Sequence, residues 1–170
     1  MTNNSNLILP NKNIGLLTET VGYDISRYPW AYDAWKQQQK IHWMAEEVPL
    51  ADDLADWKNK LSEEEKNFLT QIFRFFTQGD IEVNDCYMQN YLKIFKPLEI
   101  KNMLVSFSNM ETVHVDAYAL LLTTLGFEET EFQAFLEYEE MAQKHDYMGQ
   151  FGVDTEADVA RTLAMFGGFT

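Results

Sequence analysis

The sequence predicts an all-α protein, a bundle of long helices joined by short connections. Of its 170 residues, 46% are hydrophobic and 14% aromatic, which excludes disorder over most of the chain. Apolar residues recur every three or four positions over long stretches, and no alternating strand pattern of useful length appears. Long helical patterns with short connections between them are typical of helical bundles.

Charge and cysteine content exclude several classes of function. The chain has 27 acidic and 13 basic residues and a net charge of −14, a poor electrostatic match for nucleic acid or an anionic membrane surface. Its single cysteine, Cys86, excludes a disulfide framework and is interpreted as a small core residue. No apolar run is long enough to span a membrane, and no secretion signal is found. We therefore expect a cytoplasmic protein with neither nucleic-acid nor membrane partners.

The N-terminal part is predicted to be irregular and then helical. Residues 1–28 are polar, rich in asparagine and without a helical period. Pro29 opens a helical pattern, since proline suits the first helical turn. The acidic stretch 46–57 contains a proline and is predicted to be a loop. Three tryptophans are interpreted as anchors that pack this part on the bundle: Trp30, Trp35 and Trp57.

The first long helix is predicted to run from Ser62 to about Phe95. Ser62 is a good N-cap, and Glu65 three residues later completes a capping box. Gly79 is the candidate position for a bend within this helix.

Three further helices follow in the prediction. A second long pattern covers residues 98–125 and ends at Gly126, a suitable C-terminal glycine. A third, rich in glutamate, covers about 129–148. Thr155 and Asp158 form another capping motif, and the helix that they begin continues to the end of the sequence.

Polar residues interrupt the apolar face of the second long helix. Its stripe steps by three and four positions through Leu104, Phe107, Glu111, His114, Tyr118, Leu121 and Leu125. Three polar groups in succession on a core face carry a large energetic cost unless they satisfy one another or bind something. The first long helix has a comparable apolar stripe with Asp80 in it.

The chemistry that fits these residues is metal binding. Glu111 and His114 project an oxygen and a nitrogen ligand from one helix face, as in di-iron and di-manganese carboxylate bundles. Asp80 is placed to meet this pair across the bundle, and such ligands favour iron or manganese. The alternative is a hydrogen-bonded core network in a helical interaction module without metal. His42 and His145 are interpreted as ordinary, partly exposed histidines, because neither has an acid at ligand spacing on a clear apolar face.

Three stretches resemble the small (beta) subunit of class I ribonucleotide reductase: RYPWAYDAWKQQQKIHWMAEEVPLADD, FLTQIFRFFTQGD and FSNMETVHVDAYALLLTTLG. The similarity covers roughly residues 23–170. It implies a ferritin-like helical bundle of the ribonucleotide reductase small-subunit type. Residues 29–170 would form the N-terminal half of that di-metal bundle, incomplete at the C-terminus.

The resemblance implies a role for each of five residues. Asp80 matches the first aspartate ligand, Glu111 the glutamate that bridges the two metals, and His114 the histidine ligand of the first metal. Tyr118 matches the tyrosine that is oxidised to a stable radical. Trp43 matches the tryptophan on the electron-transfer route near the metal site.

The resemblance also implies the activity of the assembled enzyme. The di-metal centre and oxygen generate a tyrosyl radical, which passes to the large (alpha) subunit, where ribonucleotides are reduced to deoxyribonucleotides for DNA synthesis. The implied cofactor is two iron ions per subunit, with manganese as the alternative, and the implied assembly is a beta homodimer bound to the large subunit. Another ferritin-like di-iron carboxylate oxidase or monooxygenase component remains the alternative, since it would share the Glu-x-x-His pair.

The sequence departs from the family pattern in its ligand count. The family site takes six ligands from two halves, and three of them have counterparts here. The second half supplies another glutamate and a second Glu-x-x-His pair, and the tail that docks to the large subunit also lacks a counterpart. We therefore expect a fragment, or a split half that the C-terminal half of the small subunit completes, and no activity from this chain alone.

Overall fold

The all-α prediction is confirmed. The computed structural model describes residues 15–20, 22, 25–128, 130, 138–150 and 152–169 (the backbone only at 140, 141 and 169). Regular structure within these residues is entirely helical, without a strand. In the same part of the chain, no helix combines the length and apolar character that crossing a membrane requires.

The described part of the chain contains seven α-helices: α1 (Pro29–Lys40), α2 (Ala51–Asn59), α3 (Glu63–Asp85), α4 (Leu92–Ile94), α5 (Leu98–Leu125), α6 (Glu139–Met148) and α7 (Glu156–Phe169). A 3-10 turn at Ala45–Glu47 precedes α2, and a π-helical segment, Cys86–Tyr91, connects α3 directly to α4. The long helix α5 packs against both α3 and α1, so these three helices form the centre of the structure.

The first long helix begins as predicted. The Ser62 hydroxyl accepts a hydrogen bond from the Glu65 backbone N–H at 3.3 Å, and the Glu65 carboxylate accepts one from the Ser62 N–H at 2.8 Å. The α-helix runs through Gly79, and the irregular turn comes later, at Cys86–Tyr91. Both ends of this widened turn, Cys86 and Tyr91, are buried in the core, which confirms the interpretation of the cysteine.

The prediction of a loop over 46–57 is wrong, because α2 occupies much of it. Two aspartates lie in the first turn of α2, where negative charge interacts favourably with the helix dipole. Trp57 of α2 packs against Phe73 of α3 and against Phe127, with ring centroids 6.4 Å and 5.7 Å apart. The proline, Pro49, precedes α2, so it does not interrupt the helix, and Trp57 packs the helix against an aromatic surface.

The end of α5 and the start of α7 agree with the predictions, whereas the start of α6 does not. Helix α5 ends at Gly126, which adopts the left-handed conformation with φ +91°. Helix α6 begins at Glu139, and Tyr138 directly before it has extended torsions, so the prediction of one helix over about 129–148 is wrong; its predicted start at 129 lies outside the described residues. Helix α7 begins directly after Thr155, the predicted capping residue. The Asp158 N–H donates to the Thr155 hydroxyl at 3.2 Å, and the Thr155 N–H donates to the Asp158 carboxylate at 3.1 Å.

The core lies where α1 and the π-helical segment meet the first half of α5. Its buried members are Ala31, Cys86, Tyr91, Ile100 and Leu104. Glu99 is fully buried beside them, and its carboxylate accepts a hydrogen bond from the Tyr28 N–H at 2.9 Å. This bond ties the start of α1 to the first turn of α5. Trp30, by contrast, is 56% exposed, so its interpretation as a packing anchor is wrong.

A polar contact sets the register of α3 against α5. The Ser108 hydroxyl donates a hydrogen bond to the Asn84 side-chain carbonyl, and Ser108 is buried. A buried hydrogen bond is costly to leave unmade, so it disfavours sliding of the two helices. Asp80 lies one turn before Asn84, and Glu111 lies one turn after Ser108. In an antiparallel helix pair, these two carboxylates are therefore brought together at the same level of the bundle.

Replacing Gly126 with alanine should lower the free energy of unfolding by about 1 kcal/mol or more, because residues with a Cβ rarely adopt its φ of +91°. Gly79→Ala is the matched control, since Gly79 lies inside α3 and no heavy atom is within 4 Å of the added Cβ. That variant should gain about 0.5–1 kcal/mol. Denaturant unfolding followed by circular dichroism measures both changes, and equal effects of the same sign would contradict this account.

Candidate metal centre

Three candidate ligands from two helices converge. Asp80 of α3 and Glu111 and His114 of α5 each offer one ligand atom, and these atoms lie within 4.8 Å of one another. The set consists of two carboxylates and one imidazole, which is the donor chemistry that iron and manganese accept. The sequence placed these three residues on facing stripes, and the α3–α5 packing brings them to one point.

The Glu-x-x-His spacing orients the histidine. Glu111 and His114 lie one turn apart on α5, and the His114 Nδ1 is 3.1 Å from a Glu111 carboxylate oxygen. The Glu111 side chain is 14% exposed and that of His114 is 39% exposed, so the carboxylate lies deeper in the bundle. The contact restricts the rotation of the imidazole ring before any metal binds.

The site concentrates negative charge away from water. Burial, and then the charge of Glu111, raise the pKa of the Asp80 carboxyl to about 6, although His114 acts in the opposite direction. The hydrogen bond with Glu111 raises the pKa of His114, against burial, which lowers it. The single histidine balances at most one of the two negative charges, so a divalent cation would relieve the repulsion between the carboxylates. The residues present therefore fit a metal ion in both donor type and charge.

Two cavities meet at these residues. The first, here called the ligand cavity, has a volume of about 290 Å³ and is lined by Phe75, Phe76, Gly79, Asp80, Val83, Tyr87, Glu111, His114, Lys144 and Met148. The second, here called the tyrosine cavity, has a volume of about 440 Å³ and is lined by Trp43, Ala45, Val48, Leu50, Phe76, Asp80, His114, Ala117, Tyr118 and Leu121. Three residues line both of them: Phe76, Asp80 and His114.

Tyr118 lies in a mostly apolar environment, as its helical stripe indicates. Its ring is stacked parallel to that of Phe76, with centroids 6.0 Å apart. Burial, and then the charge of Asp80, raise the pKa of the Tyr118 hydroxyl, which keeps it protonated at neutral pH. The predicted neighbour Leu121 lines the same cavity. The ring of Phe107, which helical projection placed beside Tyr118, packs instead on Tyr87 at 6.2 Å.

Trp43 reaches the site from outside the helix pair. It lies just beyond the C-terminal end of α1, in an extended stretch before the 3-10 turn. Its ring centroid is 6.1 Å from that of His114, at an interplanar angle of 33°. The buried residue Ala45 anchors the adjoining turn, which holds this stretch against α5. The tryptophan is thus in contact with a candidate ligand.

Several residues at the site could not be identified from the sequence. Tyr87 lines the ligand cavity, and burial, followed by the charge of Glu111, raises its pKa to about 12. Helix α6 contributes Lys144 to the same cavity. His145 is partly exposed as predicted, yet its Nδ1 contacts the carboxylate of Glu82 on α3. Glu82 and His145 are 63 positions apart in the sequence, so no spacing rule finds this pair.

These features define a class of protein, a helical bundle with a cluster of carboxylate and histidine side chains between two long helices that could hold a metal ion. A family model described as ribonucleotide reductase, small chain, matches residues 23–169. The chain belongs to this family, which confirms the resemblance seen in the sequence.

Curated relatives and a solved structure agree with this assignment. Probable ribonucleoside-diphosphate reductase small subunits of Invertebrate iridescent virus 6 and Invertebrate iridescent virus 3 are 42% and 36% identical, over 84% and 92% of this chain. The matches cover 44% and 46% of those proteins, so the chain spans about half their length. The crystal structure of dimanganese(II)-NrdF from Streptococcus sanguinis superposes with a TM-score of 0.68 at 20% identity, covering 78% of this chain and 48% of that one. This likeness confirms the small-subunit type of bundle fold.

Metal affinity should rise as the pH increases through about 6, the pKa of Asp80. Asp80 and His114 must both lose their protons to bind a metal. Because both have raised pKa values, protons compete with the metal up to a higher pH than they would at an unperturbed aspartate and histidine. Titrations of the chain with Mn²⁺, followed by electron paramagnetic resonance (EPR) of the free ion, measure this from about pH 5 to 8. Asp80→Asn should bind more weakly and with a shallower pH dependence. An affinity that does not change with pH would contradict the ligand assignment.

Proposed function

We propose that this chain forms part of the small (beta) subunit of a ribonucleoside-diphosphate reductase. The observation that carries the proposal is the convergence of Asp80, Glu111 and His114 between α3 and α5, with Tyr118 on one side of them. Family membership adds the expectation that such a site generates a radical. A core network without metal would not need a tyrosine and a tryptophan in contact with the cavity that adjoins it.

Asp80, Glu111 and His114 are the residues that would hold a metal ion. When bound, iron or manganese supplies one-electron oxidation chemistry with oxygen. Iron is the proposed metal and manganese is the alternative, since the donor set suits both and the related NrdF is described as dimanganese(II). The two carboxylates neutralise the positive charge, and the Glu111 contact keeps the His114 ring in place.

Tyr118 is the proposed site of the radical. A tyrosine is protonated at neutral pH, and burial raises the pKa of Tyr118 further, so its oxidation to a neutral radical must release a proton together with an electron. The apolar side chains of the tyrosine cavity, such as Leu50 and Leu121, keep water and water-soluble reductants away from the ring. Trp43 is the proposed electron-transfer residue, because its ring lies against His114 and outside the α3–α5 pair.

The remaining ligands are proposed to come from a polypeptide that corresponds to the other half of the relatives. Three candidate ligands lie in the part of the chain that the structure describes, and the chain spans about half the length of its curated relatives. The proposed partners are this second half, a further beta subunit in a homodimer, and the large (alpha) subunit that reduces the ribonucleotide. The proposed setting, following the family, is the cytoplasm.

Glu111→Ala should abolish stoichiometric metal uptake, because it removes one of the two carboxylates of the cluster, the one that contacts His114 and is 14% exposed. The full assembly, with the second half supplied, should take up about two metals per site in the unmodified protein. Metal content after desalting, measured by mass spectrometry, reports the difference. Asp116→Ala on the same helix is the control, since Asp116 is exposed and lies outside the ligand cluster.

Two results would overturn the half-site assignment. Unchanged metal content in Glu111→Ala would exclude Glu111 as a ligand. Tight stoichiometric binding by the 170-residue chain alone would show that no second half is required. We expect this chain alone to bind weakly, since three protein ligands leave much of a two-metal site unfilled.

Iron and oxygen added to the complete assembly should give a tyrosyl signal in EPR. Tyr118→Phe should abolish that stable signal and retain the metal, because phenylalanine keeps the ring volume and lacks the oxidisable hydroxyl. Tyr87→Phe is the matched control, since Tyr87 lines the ligand cavity and should not hold the stable radical. A stable signal that persists in Tyr118→Phe would place the radical on another residue.

A further inference from the structure

The aromatic pair Phe76 and Tyr118 lies next to the ligand cluster at the edge of the α3–α5 contact, where Phe76 keeps 45% of its own surface exposed. Phe76 is one turn before Asp80 on α3, and Tyr118 is one turn after His114 on α5. Their rings are parallel within 2°, with centroids 6.0 Å apart, an offset stack of the kind that aromatic quadrupoles favour. The two helices therefore bring together the ligands at one level and the stacked rings at the next.

Phe76 also lies between the ligand cavity and the tyrosine cavity. It lines both the ligand cavity and the tyrosine cavity, whereas Tyr118 lines the tyrosine cavity. A smaller side chain at position 76 would open the face of Tyr118 towards the cavity that contains Glu111. The neighbouring Phe75 does not share this placement: it lies beneath the Lys144 ammonium, 3.8 Å from its ring centroid, and meets Phe76 edge-on.

Helix α3 contacts Tyr118 through two different interactions. Phe76 covers the face of its ring, and the charge of Asp80 acts on its hydroxyl. The torsion between Cβ and a tyrosine ring is broad and roughly two-fold, so the side chain's own preferences do not set the ring plane. A parallel neighbour on a separate, packed helix does set it. The plane matters for a tyrosyl radical, because the angle between the ring π system and the Cβ hydrogens determines their hyperfine coupling.

We propose that Phe76 is a positioning residue for Tyr118, whose ring plane it sets and whose face it closes off from the ligand cavity. The consequence for a radical rests on the proposed function, whereas the stack itself does not. The two parts are therefore tested by different measurements.

The first experiment uses the 170-residue chain with fluorotyrosine at its tyrosine positions and ¹⁹F NMR. Tyr118→Phe assigns the Tyr118 resonance by its disappearance. Phe76→Leu should move this resonance and lower the pKa of the fluorotyrosine at position 118 towards that of free fluorotyrosine, because the ring becomes more exposed to water. Phe76→Tyr, which keeps a ring, should leave both nearly unchanged. Phe75→Leu is the matched control for loss of a neighbouring aromatic side chain.

Circular dichroism identifies any variant that does not fold, and Phe76→Met, which conserves volume without a ring, is the second test if Phe76→Leu fails. The proposal is overturned if the Tyr118 resonance and its titration are the same in Phe76→Leu or Phe76→Met as in the unmodified chain. It is equally overturned if Phe75→Leu moves them as much.

The second experiment uses the complete assembly and EPR. Phe76→Leu should retain a tyrosyl signal with altered hyperfine splitting, and ascorbate should remove that signal faster than in the unmodified protein. Phe68→Leu removes an aromatic ring from α3 that is 65% exposed and lines neither cavity, and it should change neither property. An unchanged splitting and lifetime in Phe76→Leu would overturn the positioning role. Absence of any tyrosyl signal in the unmodified assembly would instead contradict the proposed function, and the NMR result would still decide whether Phe76 orients Tyr118.

Discussion

Two carboxylates share the partly buried interface of α3 and α5, and the rest of the site follows from how their charge is accommodated. Asp80 and Glu111 are close enough for repulsion, together with burial, to raise the pKa of Asp80 to about 6. His114 relieves this in part through its contact with Glu111. Such an arrangement costs stability in the absence of a cation, and a divalent metal bound at the proposed site would relieve that cost.

The helix pair orders the chemistry along its length. The buried hydrogen bond between Ser108 and Asn84 disfavours sliding of α3 against α5. The ligand cluster lies at the next turn, and the stacked rings of Phe76 and Tyr118 lie one turn further. Helices are suited to this, because each turn places one further side chain on the same face. The distance between the candidate ligands and the tyrosine is thus set by helix geometry and not by a loop.

Local sequence motifs that involve only a few neighbouring residues predicted the helix ends well. The capping box at Ser62 and the left-handed glycine at Gly126 mark helix ends through local hydrogen bonds and local torsions, so they are readable without the fold. The failure over 46–57 has the opposite origin. The stretch is acidic and contains a proline, but α2 forms there because Trp57 packs between Phe73 and Phe127, which lie far away in the sequence.

By itself, the sequence determined the helical class, most helix boundaries and the polar residues on the inner faces, since all of these depend on local periodicity and capping. The stripes placed Asp80 and the Glu111–His114 pair on faces that pack together, and the motifs indicated the family. Only the tertiary structure decided which aromatic ring covers Tyr118, that Trp43 contacts His114, and that Glu82 meets His145. Those contacts join elements whose relative positions follow from the packing of whole helices, a property that no local pattern contains.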